Sequence, residues 1–264
     1  MQKPLNATEK IVALLECVAG PGQGLRAPEL AQLLGFDRAT VYRLAGQLEG
    51  LDMLSIDPDT RRITIGSRAY HIGYAYIRNS DMAAKMYRCL ALAAQEMPML
   101  ISLAIADRRI SEGLVFDLFN ITTLDRWGIR YEEGIYKPVN HDSHGRLLMA
   151  FHQPECDLVR IVRGLPLSAV GPKSITDAEA LLEEYAIIRE RGLAVSLGVS
   201  APGINGLAMP VRGGAGRVIA SVLADIPLDA WASGGKERLM DIVARCVGNI
   251  ERLFPAGVEH WAWL

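Results

Sequence analysis

The tightest constraint on how this chain can fold lies between Leu30 and Leu51, where one helical pattern stops and another starts within about three residues. Leu30, Leu33 and Leu34 share one side of a short helix that Pro28 can open and Gly35 can stop. Asp37 is placed to cap the next helix, and Phe36 and Val41 stand where a hydrophobic staple packs across such a cap. At about 100° per residue, Val41, Leu44, Leu48 and Leu51 fall on one side, which is expected to be core. The opposite side carries Ala39, Tyr42, Arg43, Gly46 and Gly50, with Arg38, Thr40 and Gln47 toward its edges.

The flanking sequence completes a small unit. Ile11, Leu14, Leu15 and Val18 form one stripe of a helix that ends before Gly20-Pro21-Gly22, and short strands on either side of Asp57-Pro58-Asp59-Thr60 read as a hairpin. Three helices and a hairpin over residues 1–66 describe a winged helix-turn-helix. Gly46 is informative here, because mid-helix glycine costs about 1 kcal/mol relative to alanine, and on the outward side it has no packing reason to be present. Small residues flanked by Tyr42, Arg43 and Gln47 suit a helix that approaches a DNA groove closely, where arginine pairs with guanine and glutamine with adenine. Arg38 and Thr40 can reach phosphates, and Arg61 and Arg62 at the hairpin tip can grip the flanking backbone. The competing reading is a three-helix bundle for protein contacts with solvated outer residues. Charge does not decide: residues 1–66 hold 7 Lys and Arg against 8 Asp and Glu, and the chain has a formal net charge of -2, so any DNA binding must come from a local arrangement.

Beyond residue 66 the pattern is mixed. Residues 67–97 read as helix twice, with a seam at Asn79-Ser80-Asp81; strands are expected at 102–106, 113–119, 194–199, 205–212 and 217–225, and helices at 143–152, 176–191 and 235–254. Thr176 and Glu179 form a capping-box pattern, with Gly192 as the stop. The expected fold class is therefore α+β in two domains. No apolar run reaches the roughly 20 residues of a membrane span, and Met-Gln-Lys-Pro-Leu-Asn is no signal peptide, so a cytoplasmic protein without membrane partners is expected. Cys17, Cys89, Cys156 and Cys246 stand far apart and read as reduced, mostly buried thiols.

Leu25 to Gly35 followed by Arg38-Ala39-Thr40-Val41-Tyr42-Arg43-Leu44 resembles the winged-helix domain of the IclR family of bacterial transcriptional regulators. Ile188 to Val195, Pro202-Gly203-Ile204-Asn205-Gly206-Leu207-Ala208-Met209-Pro210-Val211 and Gly216 to Ala220 are similar to the family's effector-domain signature in order and spacing. The resemblance implies a regulator that binds double-stranded operator DNA, with a linker helix at 67–80 and a GAF-like effector-binding domain at 81–264 built on an antiparallel sheet. It implies a homodimer or dimer of dimers, for which Tyr70, Tyr74 and Ile77 are candidate contacts, and a small organic effector, for which a carboxylate is the family-based expectation.

The family's pocket segment corresponds here to Pro138-Val139-Asn140-His141-Asp142-Ser143-His144-Gly145-Arg146, which departs from the family pattern at Asn140, His141, Asp142 and His144. By position the expected lining is Asn140, His141, Asp142, Ser143, His144, Ser196, Gly206, Leu223 and Asp225. A helix starting near residue 142 offers free N–H groups to a carboxylate, whereas Asp225 suits a ligand hydroxyl or amine. His141-x-x-His144 with Asp142 also invites a metal, but no third ligand stands at motif spacing. An enzyme using His141, Ser143 and His144 is the least favoured alternative, because neighbours at a helix start point apart and neither a nucleophile elbow nor a phosphate or dinucleotide fingerprint accompanies them. No cofactor is expected. A small-molecule-binding protein without sequence-specific DNA binding is the third class.

Overall fold

The computed structural model describes residues 5–20, 23–124, 133–152, 155–169, 173–199 and 203–254; the side chains of Tyr76, Ile77, Arg108, Glu155 and Cys156 also lie outside it. Two compact units emerge, Met1–Ser80 and Asp81–Leu264.

The first unit contains α1 (Ala7–Val18), β1 (Leu25–Arg26), α2 (Ala27–Leu34), α3 (Arg38–Glu49), β2 (Leu54–Ile56), β3 (Arg62–Ile65) and α4 (Ser67–Arg78). Asn6 and Glu9 close a capping box on α1, with Glu9 N donating to Asn6 Oδ1 at 3.0 Å and Asn6 N to Glu9 Oε2 at 2.7 Å. Gly35 ends α2 in the left-handed region at φ 65°, which is the conformation that lets the chain turn at once into Asp37. Asp37 caps α3 by accepting from Thr40 N at 2.7 Å. Leu14, Leu30, Val41, Leu44, Ala45, Leu48, Leu54 and Ile63 form the core on which the three helices and hairpin close. Two details differ from the sequence reading. The hairpin gains a third strand, in the antiparallel order β1-β3-β2. Leu51 is 52% exposed rather than core, because α3 ends at Glu49 and Asp52 turns the chain at φ 56°.

The second unit is a six-stranded antiparallel sheet in the order β6-β5-β4-β9-β8-β7, formed by β4 (Leu100–Ile105), β5 (Leu114–Thr122), β6 (Ile135–Pro138), β7 (Ala194–Leu197), β8 (Ile204–Arg212) and β9 (Val218–Pro227). One face packs against α5 (Asp81–Ala93) and α9 (Lys236–Glu251). The other is covered by α6 (Ser143–Ala150), which lies over β7, β8 and β9, backed by α7 (Glu155–Gly164) and α8 (Ala178–Arg191). Leu147, Leu148, Met149, Leu158, Val162, Leu181 and Tyr185 fill that layer against Ala104, Val115, Ala208 and Leu223. Asp177, not Thr176, caps α8, accepting from Ala180 N at 2.9 Å, so the helix starts one residue later than its capping-box pattern suggests. β6 and α7 have no counterpart in the sequence reading. Of the cysteines, Cys246 is buried while Cys17 and Cys89 are half-buried; Cys156 lies outside the described side chains.

Candidate functional site

In the first unit, α3 divides as its stripe demands. Val41, Leu44, Ala45 and Leu48 are buried, and Arg38, Ala39, Tyr42, Arg43, Gly46 and Gln47 are exposed. A Cβ added at Gly46 would meet nothing within 4 Å, so the glycine leaves open space on the outer face rather than room for a core neighbour. Arg43 Nη1 donates to Gln47 Oε1 at 3.2 Å, which links the two residues expected to read bases. Facing Tyr42 and Gly46 across a cleft of about 540 Å³ are Asp59, Thr60 and Arg61 of the hairpin.

Two expected phosphate contacts need correction. The Thr40 hydroxyl donates to Asp37 Oδ2 at 2.6 Å, so its single proton is engaged in the cap and only acceptor capacity is left, which a phosphate cannot use. Arg62 opens β3 half-buried, with Nη1 donating to Gly24 O at 2.6 Å, so it ties the loop before β1 to the hairpin instead of projecting from the tip. Arg61, exposed and at φ 57°, occupies the tip itself.

In the second unit, strand register assembles a polar row that crosses the whole sheet. Lys137 faces Val115, Asp117 faces Ala104, Ser102 faces Leu223, and Asp225 faces Gly206, which in turn faces Ser196. Residues at paired positions share a face, so Lys137, Asp117, Ser102, Leu223, Asp225, Gly206 and Ser196 all lie on the side covered by α6. The Asp225 carboxylate occupies the space above Gly206, where a Cβ would collide with it.

The start of α6 locks onto this row. Asp142 caps the helix, with Gly145 N donating to Oδ1 at 3.1 Å, and its other oxygen lies 3.7 Å from Lys137 Nζ and 3.3 Å from His141 Nδ1. Lys137 also pairs closely with Asp117. Burial alone would strip the Lys137 proton, but Asp142 and Asp117 hold the ammonium on, above the usual lysine range. Burial pushes the Asp117 carboxyl up, with Asp142 adding to it against His144 and Lys137. For Asp142, burial also pushes upward, but the His141 hydrogen bond and the charge of Lys137 win and hold it well below the usual range. His144 is fully buried with Nε2 at 2.8 Å from Ser102 Oγ, and burial keeps its imidazole neutral to lower pH than usual. Fully covered atoms without a hydrogen-bond partner on this side include Asp117 Oδ1, His144 Nδ1, Ser221 Oγ and Tyr185 Oη.

Comparison with known proteins decides what these two constellations belong to. Residues 7–58 match the IclR helix-turn-helix domain, and residues 75–252 match the bacterial transcriptional regulator IclR C-terminal region. The chain belongs to the IclR family. It is 27% identical over 221 residues to the "Probable transcriptional regulator SauR" of Cupriavidus necator, spanning 83% of this chain and 84% of that protein. An IclR transcriptional regulator from Alicyclobacillus acidocaldarius has the same fold at TM-score 0.77 and 25% identity, covering 91% of this chain and 95% of that one. An IclR homolog from Microbacterium hydrocarbonoxydans, solved in complex with 4-hydroxybenzoate, aligns at TM-score 0.73 and 21% identity over 92% and 96% of the two chains. This chain is a DNA-binding transcriptional regulator, with an α+β architecture of helix-turn-helix head and antiparallel C-terminal sheet.

Within that IclR frame, the positions named from sequence for the effector separate into two groups. Asp142, His144, Ser196, Gly206, Leu223 and Asp225 come together on the α6-covered face. Asn140 does not: its Nδ2 donates to Ser168 O at 3.0 Å and Ile175 O at 3.1 Å, anchoring the segment before α8. Ser143 Oγ accepts from Arg146 Nη2 at 3.3 Å, and the same guanidinium reaches Glu184 Oε1 and Val195 O, both at 3.1 Å, so it staples α6 to α8 and β7. Since His144 turns to Ser102 rather than Ser143, the two do not form a nucleophile and base. Among the described residues no group of three metal-ligating side chains converges, and no helix is long and apolar enough to cross a membrane. Lys137, Asp117 and Ser102 escaped the sequence reading. Asp117 had a signal, since it shares the inward parity of Val115 and stands among the apolar residues of 114–119.

Proposed function

We propose that the outer face of α3 enters the major groove of operator DNA, where Arg43 and Gln47 read base edges as a hydrogen-bonded pair while Ala39, Tyr42 and Gly46 allow close approach. Arg38 and Arg61 contact phosphates on either side, and Arg62 acts indirectly by holding the hairpin to the loop before β1. The reading rests on one observation above others: the exposed side of α3 carries these donors around a glycine that the core does not need. Residues 67–80 serve as the linker of a homodimer, in which Tyr70 and Tyr74, exposed and stacked at 5.8 Å between ring centroids, are the contact candidates. Two heads then meet half-sites about 34 Å apart or at another fixed helical phase.

The second unit is the sensor. Its polar row beneath α6 holds a small organic effector, a reading supported by the buried atoms that lack partners there and by the 4-hydroxybenzoate complex of the Microbacterium homolog. An effector changes operator affinity only if it binds the two arrangements of the linked heads unequally. A carboxylate effector, the expectation from family resemblance, is opposed by the Asp142 side chain, which already occupies the α6 N-terminus. The test is fluorescence anisotropy of labelled DNA from upstream of the gene, titrated with the protein in the presence of low-mass metabolite fractions. Under this reading at least one fraction shifts the midpoint severalfold; if every fraction leaves it unchanged, the second unit is no sensor.

A further inference from the structure

β7 ends the sheet, and its outer edge borders a cleft of about 810 Å³ whose lining includes none of the polar row beneath α6. Gly198 N donates to Ile204 O, whereas Val195 O accepts from Arg146, so even-numbered backbone groups of β7 face β8 and odd-numbered ones face out. The N–H groups of Val195 and Leu197 therefore open on the cleft as donors. The side chains of Val195 and Leu197 alternate with the inward Ser196, and with Leu193, Trp231 and Met240 they form an apolar wall. Leu197 is 47% exposed on that wall. The charged lining is unequal: Arg146, Lys173, Arg191 and Lys236 meet a single carboxylate, Glu184. Glu184 pairs with Arg146 at 3.1 Å, which leaves Lys173, Arg191 and Lys236 without a carboxylate among the described residues. Lys236 lies instead 6.0 Å from the centroid of the Trp231 ring.

We propose that this edge is a second ligand site, separate from the polar row, which takes a small organic anion with an aromatic or branched apolar body. The volume lies within the range of about 300–1,000 Å³ that small-molecule sites occupy, and the protein walls concentrate the field of the unpaired cations. The apolar body packs on Leu197, Met240 and Trp231, while the outward N–H groups and the cations meet the charge. A second copy of the chain does not suit this edge, because a two-fold contact would bring the same cations against their counterparts. Arg146 joins the site to α6: the guanidinium that lines the cleft also donates to Asp142 O and Ser143 Oγ, both at 3.3 Å. Occupancy thus bears on the segment that closes the polar row, whatever that row holds.

Isothermal titration calorimetry on the full chain tests the site with 2-naphthoate, with its neutral counterpart 2-naphthalenemethanol, and with inorganic phosphate, an anion that has no apolar body. Naphthoate is expected to bind about tenfold or more tightly than either, with an affinity that falls as salt rises. Lys173→Gln with Arg191→Gln removes two exposed cations outside the core and should weaken naphthoate binding about fivefold or more. Arg160→Gln with Arg163→Gln, an equal loss of exposed charge on α7, should leave it within about twofold. Naphthoate that fails to bind, or binds no tighter than the alcohol or phosphate, overturns the site. So does an affinity that both double variants change equally or leave unchanged, since the anion would then be held elsewhere. None of these results touches the sensor reading, which the metabolite-fraction titration tests through operator affinity.

Discussion

The two units of this protein place their polar side chains under opposite constraints. In the head, Arg38, Tyr42, Arg43 and Gln47 project from a helix whose core side would fold equally well without them. Beneath α6, Asp117, Lys137, Asp142 and His144 are buried, hydrogen-bonded to one another or to the sheet, and shifted in their proton affinities. A surface that reads DNA can be changed without touching stability, whereas a buried recognition cluster is part of the fold it serves. Substitutions should therefore separate binding from stability in the head and fail to separate them in the sensor.

The largest effect is expected from Lys137→Met. Removing the ammonium leaves Asp117 and Asp142 buried without a counter-charge, and breaking such a pair typically costs about 3–5 kcal/mol. Urea denaturation followed by circular dichroism measures it; a loss below about 1 kcal/mol would mean that the cluster is not integral to the fold. Gly206→Ala comes next at about 1–3 kcal/mol, because the new methyl would run into the Asp225 carboxylate and lie 2.8 Å from Ala224 O, a backbone atom that cannot rotate away. The same assay reads it.

Acid should weaken the sensor in a defined window. The His144 imidazole is depressed by burial, so as pH falls through about 6.5 the unfolded chain takes up a proton that the folded one refuses. Stability present above that pH is then lost at up to about 1.4 kcal/mol per unit, until the lower folded value is reached. His152, half-buried and depressed for the same reason, acts in the same direction. Comparing thermal melts of wild type and His144→Gln from pH 7.5 to 5.5 isolates the first contribution, which is contradicted if both lose stability in parallel. The smallest effect is assigned to Arg61→Ala, which should leave stability unchanged, weaken binding to all DNA sequences alike by less than about 1 kcal/mol, and lower the salt slope by about 1. Loss of base preference in this variant would mean that the hairpin reads sequence.

The same contrast explains what the sequence disclosed. Three head helices, the Asp37 cap, the hairpin and most sheet strands follow from period and punctuation, which are local properties. β1 is two residues long and exists only because Leu25 and Arg26 pair with Ile63 and Arg62, so no periodicity announces it. Arg62 and Thr40 read as phosphate ligands because their partners, Gly24 O and Asp37 Oδ2, are settled by three-dimensional closure or by a cap already in use. The polar row beneath α6 was half legible: the segment around residue 142 stood out by its departure from the family pattern, but Ser102, Asp117 and Lys137 join it through register across β4, β5 and β6. Asn140 shows the converse, since a polar residue in a pocket segment can face away and anchor a neighbouring loop.

The central claim is that α3 reads bases through Arg43, and the most direct measurement is the operator selectivity of Arg43→Ala beside wild type. Anisotropy titrations against upstream DNA and a scrambled duplex, at two salt concentrations, give the specific and non-specific affinities of both proteins. The account predicts that wild type prefers the upstream DNA, that Arg43→Ala loses about 1–3 kcal/mol on that DNA with scrambled-duplex binding reduced far less, and that both proteins melt at the same temperature. Undiminished selectivity in Arg43→Ala would contradict it.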